Sequence, residues 1–278
     1  MPTELDLWLE KVKGKHIHVL GLSGIEGYSF ARFLLKHGLG GFTAHDFGEE
    51  DEYAQTFNAL HLYLPRAERV KRLQEIKEWP VKFHWGQDYL KGIEQADFVF
   101  VPQNWFAYSQ NQPVVGELIK KHPQRILHLA GLYHQLIACP LIAVTGSMGK
   151  STTTKLLFEI FSALVSQQPG LFGNVYYGGN DRRSGQFLEQ LDQIKASDLA
   201  LLEVSNRQLK FRLPQGPKVG VITNIVPNHI EDHGSLKSYI QTKASLIEAQ
   251  REDDICVLNW DDENSRELAS THLSLIHI

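Results

Sequence analysis

The feature that most constrains this chain is an apolar segment that runs directly into a glycine-rich turn and then into a helical pattern. Residues 141–145 have the uninterrupted apolar character of a strand buried on both faces. They continue as G-S-M-G-K-S-T over residues 146–152, and the helical pattern extends to about residue 165. Such a turn points successive backbone N–H groups at one place, where the helix N-terminus adds partial positive charge. The segment therefore predicts a polyphosphate site in an α/β domain.

Lys150 and Ser151 give this turn the chemistry of a phosphate loop. The lysine would reach the terminal phosphates of a nucleotide, and the serine hydroxyl would take a position on Mg²⁺. The spacing G-x-x-G-K-S is shorter than G-x-x-x-x-G-K-[ST], so a fortuitous glycine turn is the alternative interpretation. The strand before the turn and the helix after it favour the phosphate loop.

A second glycine-punctuated turn lies near the N-terminus. An apolar run over residues 16–21 leads into a turn that contains Gly21, Gly24 and Gly27, and a helical pattern follows. The next strand ends at Asp46, 19 residues after the last of these glycines. This is a βαβ unit of the nucleotide-binding kind. Taken alone, it predicts an NAD site, because an acid about 20 residues onward can bind a ribose hydroxyl. An NAD-dependent oxidoreductase is therefore the rival class.

Strand and helix patterns alternate along the rest of the chain, which favours mostly parallel sheets. The chain has 278 residues, more than the ~150 expected of one domain, so its length predicts two domains or one large α/β unit. We predict a Rossmann-like parallel-sheet domain over residues 1–138, followed by a P-loop ATPase-type α/β domain over residues 139–278. Further strands are expected at residues 81–85, 97–101, 125–129, 198–203, 219–223 and 255–259.

Charge and cysteine content argue against several classes of protein. Lys plus Arg is 28 against 32 for Asp plus Glu, and the net charge of −4 argues against a nucleic-acid partner. The two cysteines, Cys139 and Cys256, lie in no disulfide or metal-binding spacing, which fits a reducing compartment. The N-terminus is acidic where a signal peptide is basic, and no apolar run approaches the ~18 residues of a membrane span. The sequence predicts a cytoplasmic protein without a membrane partner.

Four segments in the second half of the chain resemble those of the Mur ligase family, in the family's order. The first is the phosphate loop itself, T-G-S-M-G-K-S-T-T-T. Residues 202–209 read L-E-V-S-N-R-Q-L and resemble L-E-x-S-S-x-Q-L, most closely that of the member that adds D-glutamate. Residues 223–235 resemble T-N-x-x-x-D-H-L-D-x-H-G-S, and residues 259–262 resemble N-x-D-D.

The resemblance implies a ligase that uses ATP and Mg²⁺ to form an amide bond in peptidoglycan precursor synthesis. In this family a carboxylate of the nucleotide-sugar substrate attacks the γ-phosphate of ATP, and an amine then displaces phosphate from the acyl phosphate. The D-glutamate-adding type would take UDP-N-acetylmuramoyl-L-alanine and D-glutamate, with the N-terminal domain gripping the UDP part. A member that adds L-alanine or a diamino acid is an alternative, and a non-catalytic nucleotide-binding remnant is another.

The resemblance also assigns roles to individual residues. The catalytic residues would be Lys150, Glu203, His229 and Lys243, and the metal ligands Ser151, Glu203, His229 and a Lys243 carbamylated with CO₂. The ATP-binding residues would be Gly146, Ser147, Met148, Gly149, Lys150, Ser151, Thr152 and Asn174, and the substrate-binding residues Gly24, Gly27, Asp46, Ser205 and Asn228. Taken alone, Glu203 would be read as a solvated strand end and His229 as a packed histidine. Their order relative to the phosphate loop favours the ligand roles.

The chain departs from the family pattern at three positions in these segments. Asn206 replaces the second serine, Asn228 replaces the acid beside the histidine, and Met148 stands where a polar residue is usual. The two asparagine replacements are the basis of the non-catalytic alternative.

Mur ligases have a third, C-terminal domain that brings the incoming amino acid, and this chain ends while still inside the second. We expect a truncated chain that lacks the C-terminal ligase domain and is inactive by itself. Residues 273–278 read L-S-L-I-H-I, which a transposon end used in sequencing adapters encodes, so we expect them to be foreign to the natural protein.

Overall fold

The computed structural model describes residues 2–180, 185–228 and 230–271 and divides the chain into two compact units. The first unit comprises the chain up to Leu129 together with a later segment that ends at Glu189, and the second comprises the remainder. Residues 273–278, which we expected to be foreign, lie outside the described residues.

The first unit is built on one five-stranded sheet. Its strands are β1 (Ile17–Leu20), β2 (Thr43–His45), β3 (Lys82–His84), β4 (Phe98–Phe100) and β5 (Ile126–Leu127), and its helices are α1 (Glu4–Val12), α2 (Ile25–Lys36), α3 (Tyr53–Leu60), α4 (Arg66–Lys77) and α5 (Glu117–Lys121). The strand order is β3-β2-β1-β4-β5, and each pairing is parallel. The order reverses between β1 and β4, which is where ligands bind in open α/β sheets.

Helix α2 packs against the sheet through side chains on one face. Phe30 and Phe33 are buried there, and the ring of Trp8 in α1 contacts both. Gly27 allows α2 to approach the end of β1, because a Cβ at this position would clash with the carbonyl oxygen of Gly21. The glycine turn is therefore closely packed between β1 and α2.

The second unit has its own five-stranded parallel sheet. Its strands are β6 (Leu141–Thr145), β7 (Val175–Gly179), β8 (Leu199–Glu203), β9 (Val219–Ile222) and β10 (Ile255–Leu258), and its helices are α6 (Leu129–Leu136), α7 (Lys150–Gln167), α8 (Ile230–His233), α9 (Leu236–Glu248) and α10 (Glu263–Thr271). The strand order is β10-β9-β6-β8-β7. Because all pairings are parallel, the ends of β6, β8 and β9 meet at one edge.

Helices α7 and α9 cover this second sheet with apolar side chains. Phe158 and Phe161 of α7 pack against a buried cluster that includes Leu201 of β8. Ile247 of α9 belongs to a second cluster, with Ile222 of β9 among its members. This packing places the first turn of α7 and one face of α9 beside the carboxyl edge of the sheet.

The predicted fold class is confirmed, with two α/β units that each contain a parallel sheet. Strand β7 was not predicted, because its sequence Val175-Tyr-Tyr-Gly-Gly lacks the apolar run typical of a buried strand. It forms the edge of the second sheet beside β8. Across the described part of the chain, no helix is long and apolar enough to cross a membrane.

Candidate functional site

The glycine turn between β6 and α7 lies at the carboxyl edge of the second sheet. Gly146 and Gly149 have φ angles of 149° and 82°, in the region that favours glycine. A Cβ on Gly146 would clash with Oγ1 of Thr223, the residue that follows β9. The two glycines therefore allow the turn to pass close to the end of β9 before α7 begins.

The residues after β9 hold this turn in place. The carbonyl of Asn224 accepts a hydrogen bond from the N–H of Ser147 at 2.9 Å, and its Oδ1 accepts from the N–H of Met148 at 3.0 Å. The hydroxyl of Thr223 donates to the carbonyl of Met148 at 2.6 Å. Among the described residues, the N–H groups of residues 150–152 have no acceptor. These donors at the positive end of α7 suit an anion.

Lys150 lies in the first turn of α7 and folds back onto the glycine turn. Its Nζ donates to the carbonyl oxygens of Gly146 at 2.9 Å and Ser147 at 3.2 Å. Burial lowers the pKa of Lys150, and the carboxylate of Glu203 opposes that shift. A phosphate oxygen at this turn would be a stronger acceptor for the ammonium than either carbonyl, because it carries charge.

Glu203 ends β8 and is paired in register with Val144 of β6, two residues before the glycine turn. Its side chain is buried, and Oε1 accepts a hydrogen bond from Nδ2 of Asn180 at 2.7 Å. Its other oxygen, Oε2, is buried and has no hydrogen-bond partner within the described residues. A buried carboxylate oxygen without a donor is costly, and a cation bound there would relieve that cost.

Asn180, and not Asn174, is the asparagine that the fold brings to Glu203. Asn174 precedes β7 and therefore lies at the opposite edge of the sheet, where its N–H donates to Oδ1 of Asp198 at 2.7 Å. Asn180 follows β7, and its N–H also donates to the carbonyl of Glu203 at 2.8 Å. The signal in the sequence was a second glycine–asparagine step, Gly179-Asn180, six residues after the one we had chosen.

Lys243 lies on α9 and is almost completely buried, with 1% of its surface exposed. Its ammonium lies 4.7 Å from the centroid of the Tyr239 ring and has no hydrogen-bond acceptor or ion-pair partner among the described residues. Burial lowers the pKa of Lys243 to about 7, and the positive charge of Lys150 adds to the effect. Part of the population therefore carries a neutral amine near neutral pH.

Ser147 links the glycine turn to α9 and to the loop after β9. Its Oγ lies 3.0 Å from the hydroxyl of Tyr239, donates to the carbonyl of Val226 at 2.9 Å and accepts from the N–H of Val226 at 3.0 Å. The hydroxyl of Ser147 thus joins the glycine turn to α9, the helix that carries Lys243, and to the loop after β9.

The segment after β8 forms a tight turn and contacts α8. Ser205 and Gln208 exchange hydrogen bonds, from the N–H of each to the side-chain oxygen of the other, at 3.0 and 3.1 Å. Asn206 Nδ2 lies 2.9 Å from Nε2 of His233, and the guanidinium of Arg207 pairs with Asp232 at 2.9 Å. Asn206, which replaces a serine of the family pattern, thus has a defined partner.

The residues proposed to bind metal are only partly described. Glu203 and Ser151 lie on neighbouring elements at the carboxyl edge, whereas His229 lies outside the described residues. Asn228 is exposed. Within the described ranges, no group of three or more His, Cys, Asp or Glu side chains has an arrangement that could hold a metal ion.

The first unit carries the second glycine turn at the carboxyl end of β1. Gly24 precedes the first residue of α2, and the carboxylate of Asp46 accepts hydrogen bonds from the N–H of Ser23 at 2.6 Å and of Gly48 at 3.3 Å. Burial raises the pKa of Asp46, and the hydrogen bond from Ser23 opposes that shift. The buried carboxylate of Asp46 therefore stabilises the glycine turn through these hydrogen bonds.

Together these features define an α/β protein with a phosphate-loop second unit, and comparisons with known proteins agree. Residues 144–275 match the family model described as Mur ligase middle domain. The solved UDP-N-acetylmuramate:L-alanyl-gamma-D-glutamyl-meso-diaminopimelate ligase from Neisseria meningitides has the same fold, with a TM-score of 0.52 at 16% identity over 95% of this chain and 76% of that one. The chain therefore resembles Mur ligases, and the match to the family model lies largely within its second unit.

The curated proteins to which this chain is similar include two bacterial enzymes named UDP-N-acetylmuramoylalanine--D-glutamate ligase. That of Ruminiclostridium cellulolyticum is 31% identical over 265 residues, which are 95% of this chain and 50% of the relative. That of Limosilactobacillus fermentum is 31% identical over 257 residues, which are 92% of this chain and 50% of the relative. The chain spans about half the length of the curated relatives it matches.

Proposed function

We propose that this protein belongs to a cytoplasmic, ATP-dependent ligase that adds D-glutamate to UDP-N-acetylmuramoyl-L-alanine through an acyl phosphate. The observation that carries the proposal is the buried oxygen of Glu203 that has no hydrogen-bond partner among the described residues, at the same sheet edge as the phosphate loop. The names of the curated relatives supply the substrates. In such a reaction the protein mainly positions the reactants and neutralises their charge.

The second unit would bind the phosphates of ATP at the turn between β6 and α7. The N–H groups of residues 150–152, which have no acceptor in the described part of the chain, would donate to phosphate oxygens, and the positive end of α7 would strengthen those bonds. Lys150 would exchange its two carbonyl acceptors for phosphate oxygens. Because Asn224 and Thr223 already hold the turn, little reorganisation is needed when the nucleotide binds.

The described residues fit a magnesium ion at Glu203. Mg²⁺ prefers oxygen ligands and is usually held by one or two carboxylates together with substrate phosphates. Oε2 of Glu203 is available for it, because Asn180 holds the other oxygen, and the exposed Ser151 would add a hydroxyl. By the resemblance, His229 would hold a second ion, with the carbamylated Lys243 as an oxygen ligand near it. When bound, the ion would offset negative charge that develops on the transferred phosphoryl group.

Lys243 is proposed to be carbamylated. Its neutral amine would attack CO₂, forming an N–C bond and releasing one proton, and the product is an anionic carbamate in place of a cation. Lys243 is buried and has no counter-ion within the described ranges, which disfavours the ammonium form and so favours this change. We expect ¹³C-labelled bicarbonate to give a carbamate NMR signal in the native chain and in Lys237→Met, an exposed lysine of the same helix. A signal that persisted in Lys243→Met would refute the assignment.

The first unit gives less support to the rival hypothesis of an NAD-dependent oxidoreductase than to a ligase. Asp46 is buried, and its carboxylate accepts from Ser23 and Gly48 of the turns beside it. An NAD site requires the acid to face a ribose hydroxyl. We therefore propose that the first unit, with Gly24 and Gly27 at its glycine turn, binds the UDP part of the substrate.

Thermal-shift titration tests this proposal against its rivals, because a ligand that binds only the folded state raises the melting temperature. We expect Mg-ATP to stabilise the native chain and Lys155→Ala, and to have no effect on Lys150→Ala. Lys155 is an exposed lysine of the same helix and serves as the matched control. Stabilisation by NADH but not by Mg-ATP would favour the oxidoreductase. Equal stabilisation of Lys150→Ala would overturn the phosphate-loop assignment.

A further inference from the structure

Four aromatic rings form a continuous strip on the first unit, which we call the aromatic strip. It runs from Trp105 to Tyr89, Phe47 and Tyr108, with ring centroids 5.3, 6.0 and 5.7 Å apart in that order. Trp105 and Tyr89 are buried, whereas Phe47 is 52% exposed and Tyr108 is 45% exposed. The two exposed rings stack on each other with an angle of 19° between their planes.

The strip begins at the glycine turn and extends across the carboxyl edge of the sheet. Trp105 packs against Gly21, where a Cβ would lie 2.5 Å from its Nε1. Phe47 directly follows Asp46, whose carboxylate holds the N–H of Ser23 in the same turn. Phe47 follows β2, and Trp105 and Tyr108 follow β4, the strands on either side of β1, whereas Tyr89 follows β3. The strip adjoins the point at which the strand order reverses, and nucleotides bind there in sheets of this kind.

Hydrogen bonds hold the buried part of the strip in one arrangement. The hydroxyl of Tyr89 donates to Oδ1 of Asn111, and Nδ2 of the same asparagine donates to the carbonyl of Trp105 at 2.9 Å. The carbonyl of Tyr89 lies 2.7 Å from Nδ1 of His45 in β2. The exposed rings therefore pack on buried rings that hydrogen bonds hold in place. The pair needs no reordering to accept a planar ligand, which lowers the entropic cost of binding.

We propose that Phe47 and Tyr108 are specificity-determining residues that stack on the uracil of the UDP-linked substrate. This proposal rests on the proposed function for the choice of uracil, because an aromatic face stacks on any base. The diphosphate of the same ligand would lie toward the glycine turn and the N-terminus of α2. Two exposed rings at one end and helix amides at the other match the two ends of a nucleoside diphosphate.

Titration with UDP measures the contribution of the pair. Removing a stacked aromatic ring weakens base binding by roughly 5- to 100-fold. We expect the double variant Phe47→Leu/Tyr108→Leu to bind UDP at least about fivefold more weakly than the native chain. The single variant Phe47→Tyr, which keeps an aromatic ring, should bind UDP as the native chain does. Leu62→Ala is the matched control, since Leu62 is an apolar side chain of the same unit that is 72% exposed. Inorganic pyrophosphate, which has no base, should bind the native chain and the double variant equally.

The NMR spectrum of the ligand gives a readout that a structural role would not move. Stacking should shift the uracil ring protons of bound UDP upfield in the native chain and not in the double variant. Native binding of UDP without that shift, or with equal affinity in the double variant, overturns the stacking proposal and leaves the UDP site standing. Failure of the native chain to bind UDP overturns both.

Discussion

Asn180 and Glu203 are joined by a hydrogen bond of 2.7 Å, and this bond holds one oxygen of a buried carboxylate while the other has no partner in the described part of the chain. Glu203 ends β8, and Asn180 directly follows the neighbouring parallel strand, β7. The hydrogen bond from Asn180 fixes the orientation of the carboxylate and leaves one oxygen for the proposed cation.

Asn180→Ala should weaken Mg-ATP binding, because Glu203 would lose the donor that orients it. A hydrogen bond to a charged group contributes about 1.5–3 kcal/mol, so the dissociation constant should rise by roughly 10- to 100-fold. Asn174→Ala is the control, since Asn174 is exposed at the other edge of the sheet. Isothermal titration calorimetry measures both. A larger loss in Asn174→Ala would show that the first glycine–asparagine step was the functional one.

Lys243→Met should stabilise the chain in CO₂-free buffer at neutral pH. The folded pKa of Lys243 is lowered from 10.5 to about 7, so the unfolded state binds more protons between these values. The destabilisation is complete below about pH 7 and is relieved as the pH rises towards 10.5. Replacing this buried charge, which has no ion-pair partner among the residues that the structure describes, with an apolar side chain should raise the free energy of unfolding by about 1–4 kcal/mol at pH 7.

Urea denaturation at several pH values measures this difference. The advantage of Lys243→Met over the native chain should shrink between pH 8 and pH 10, and Lys237→Met should show no such trend. A variant less stable than the native chain at pH 7 would mean that the ammonium has a counter-ion when folded.

Acid should destabilise the first unit through its buried histidines. Burial, and then the neighbouring histidines, lowers the pKa of His18 to about 4 and of His45 to about 3. Because the unfolded value is 6.5, the unfolded state binds more protons below it, and stability is lost as the pH falls from about 6.5 towards 4.

Thermal melts between pH 7.5 and 4.5 check this expectation. The variant His45→Gln should lose less stability with acid than the native chain does, and His122→Gln, at an exposed histidine, should behave as the native chain. A melting temperature that stayed constant over this range would contradict it.

Asn206 and His233 should be energetically coupled. Their side chains lie 2.9 Å apart, and Nδ1 of the same histidine lies 3.3 Å from Oγ1 of Thr242. A double-mutant cycle with Asn206→Ala and His233→Ala should give a coupling energy of roughly 0.5–1.5 kcal/mol in unfolding. Asn206→Ser, the residue of the family pattern, should recover only part of it because the hydroxyl reaches less far. Additive effects would show that the contact contributes nothing.

Several parts of the fold could be predicted because they depend on neighbours in sequence. The strand, glycine turn and helix over residues 141–165 are contiguous, and so are β1, its glycine turn and α2. Periodicity and glycine placement reveal such units directly. Edge strand β7 was not predicted, because its half-buried tyrosines and its glycines show no clear hydrophobic periodicity.

The amino-acid sequence was enough to predict the two α/β units and to propose the phosphate loop, because backbone conformation and helix polarity follow from local residue order. Only the tertiary structure decided which asparagine meets Glu203 and what Asn206 contacts. Asn180 and Glu203 are 23 residues apart, and Asn206 and His233 are 27 apart. Such contacts depend on which ends of parallel strands meet at one edge, and that is settled by sheet order and packing over the whole unit.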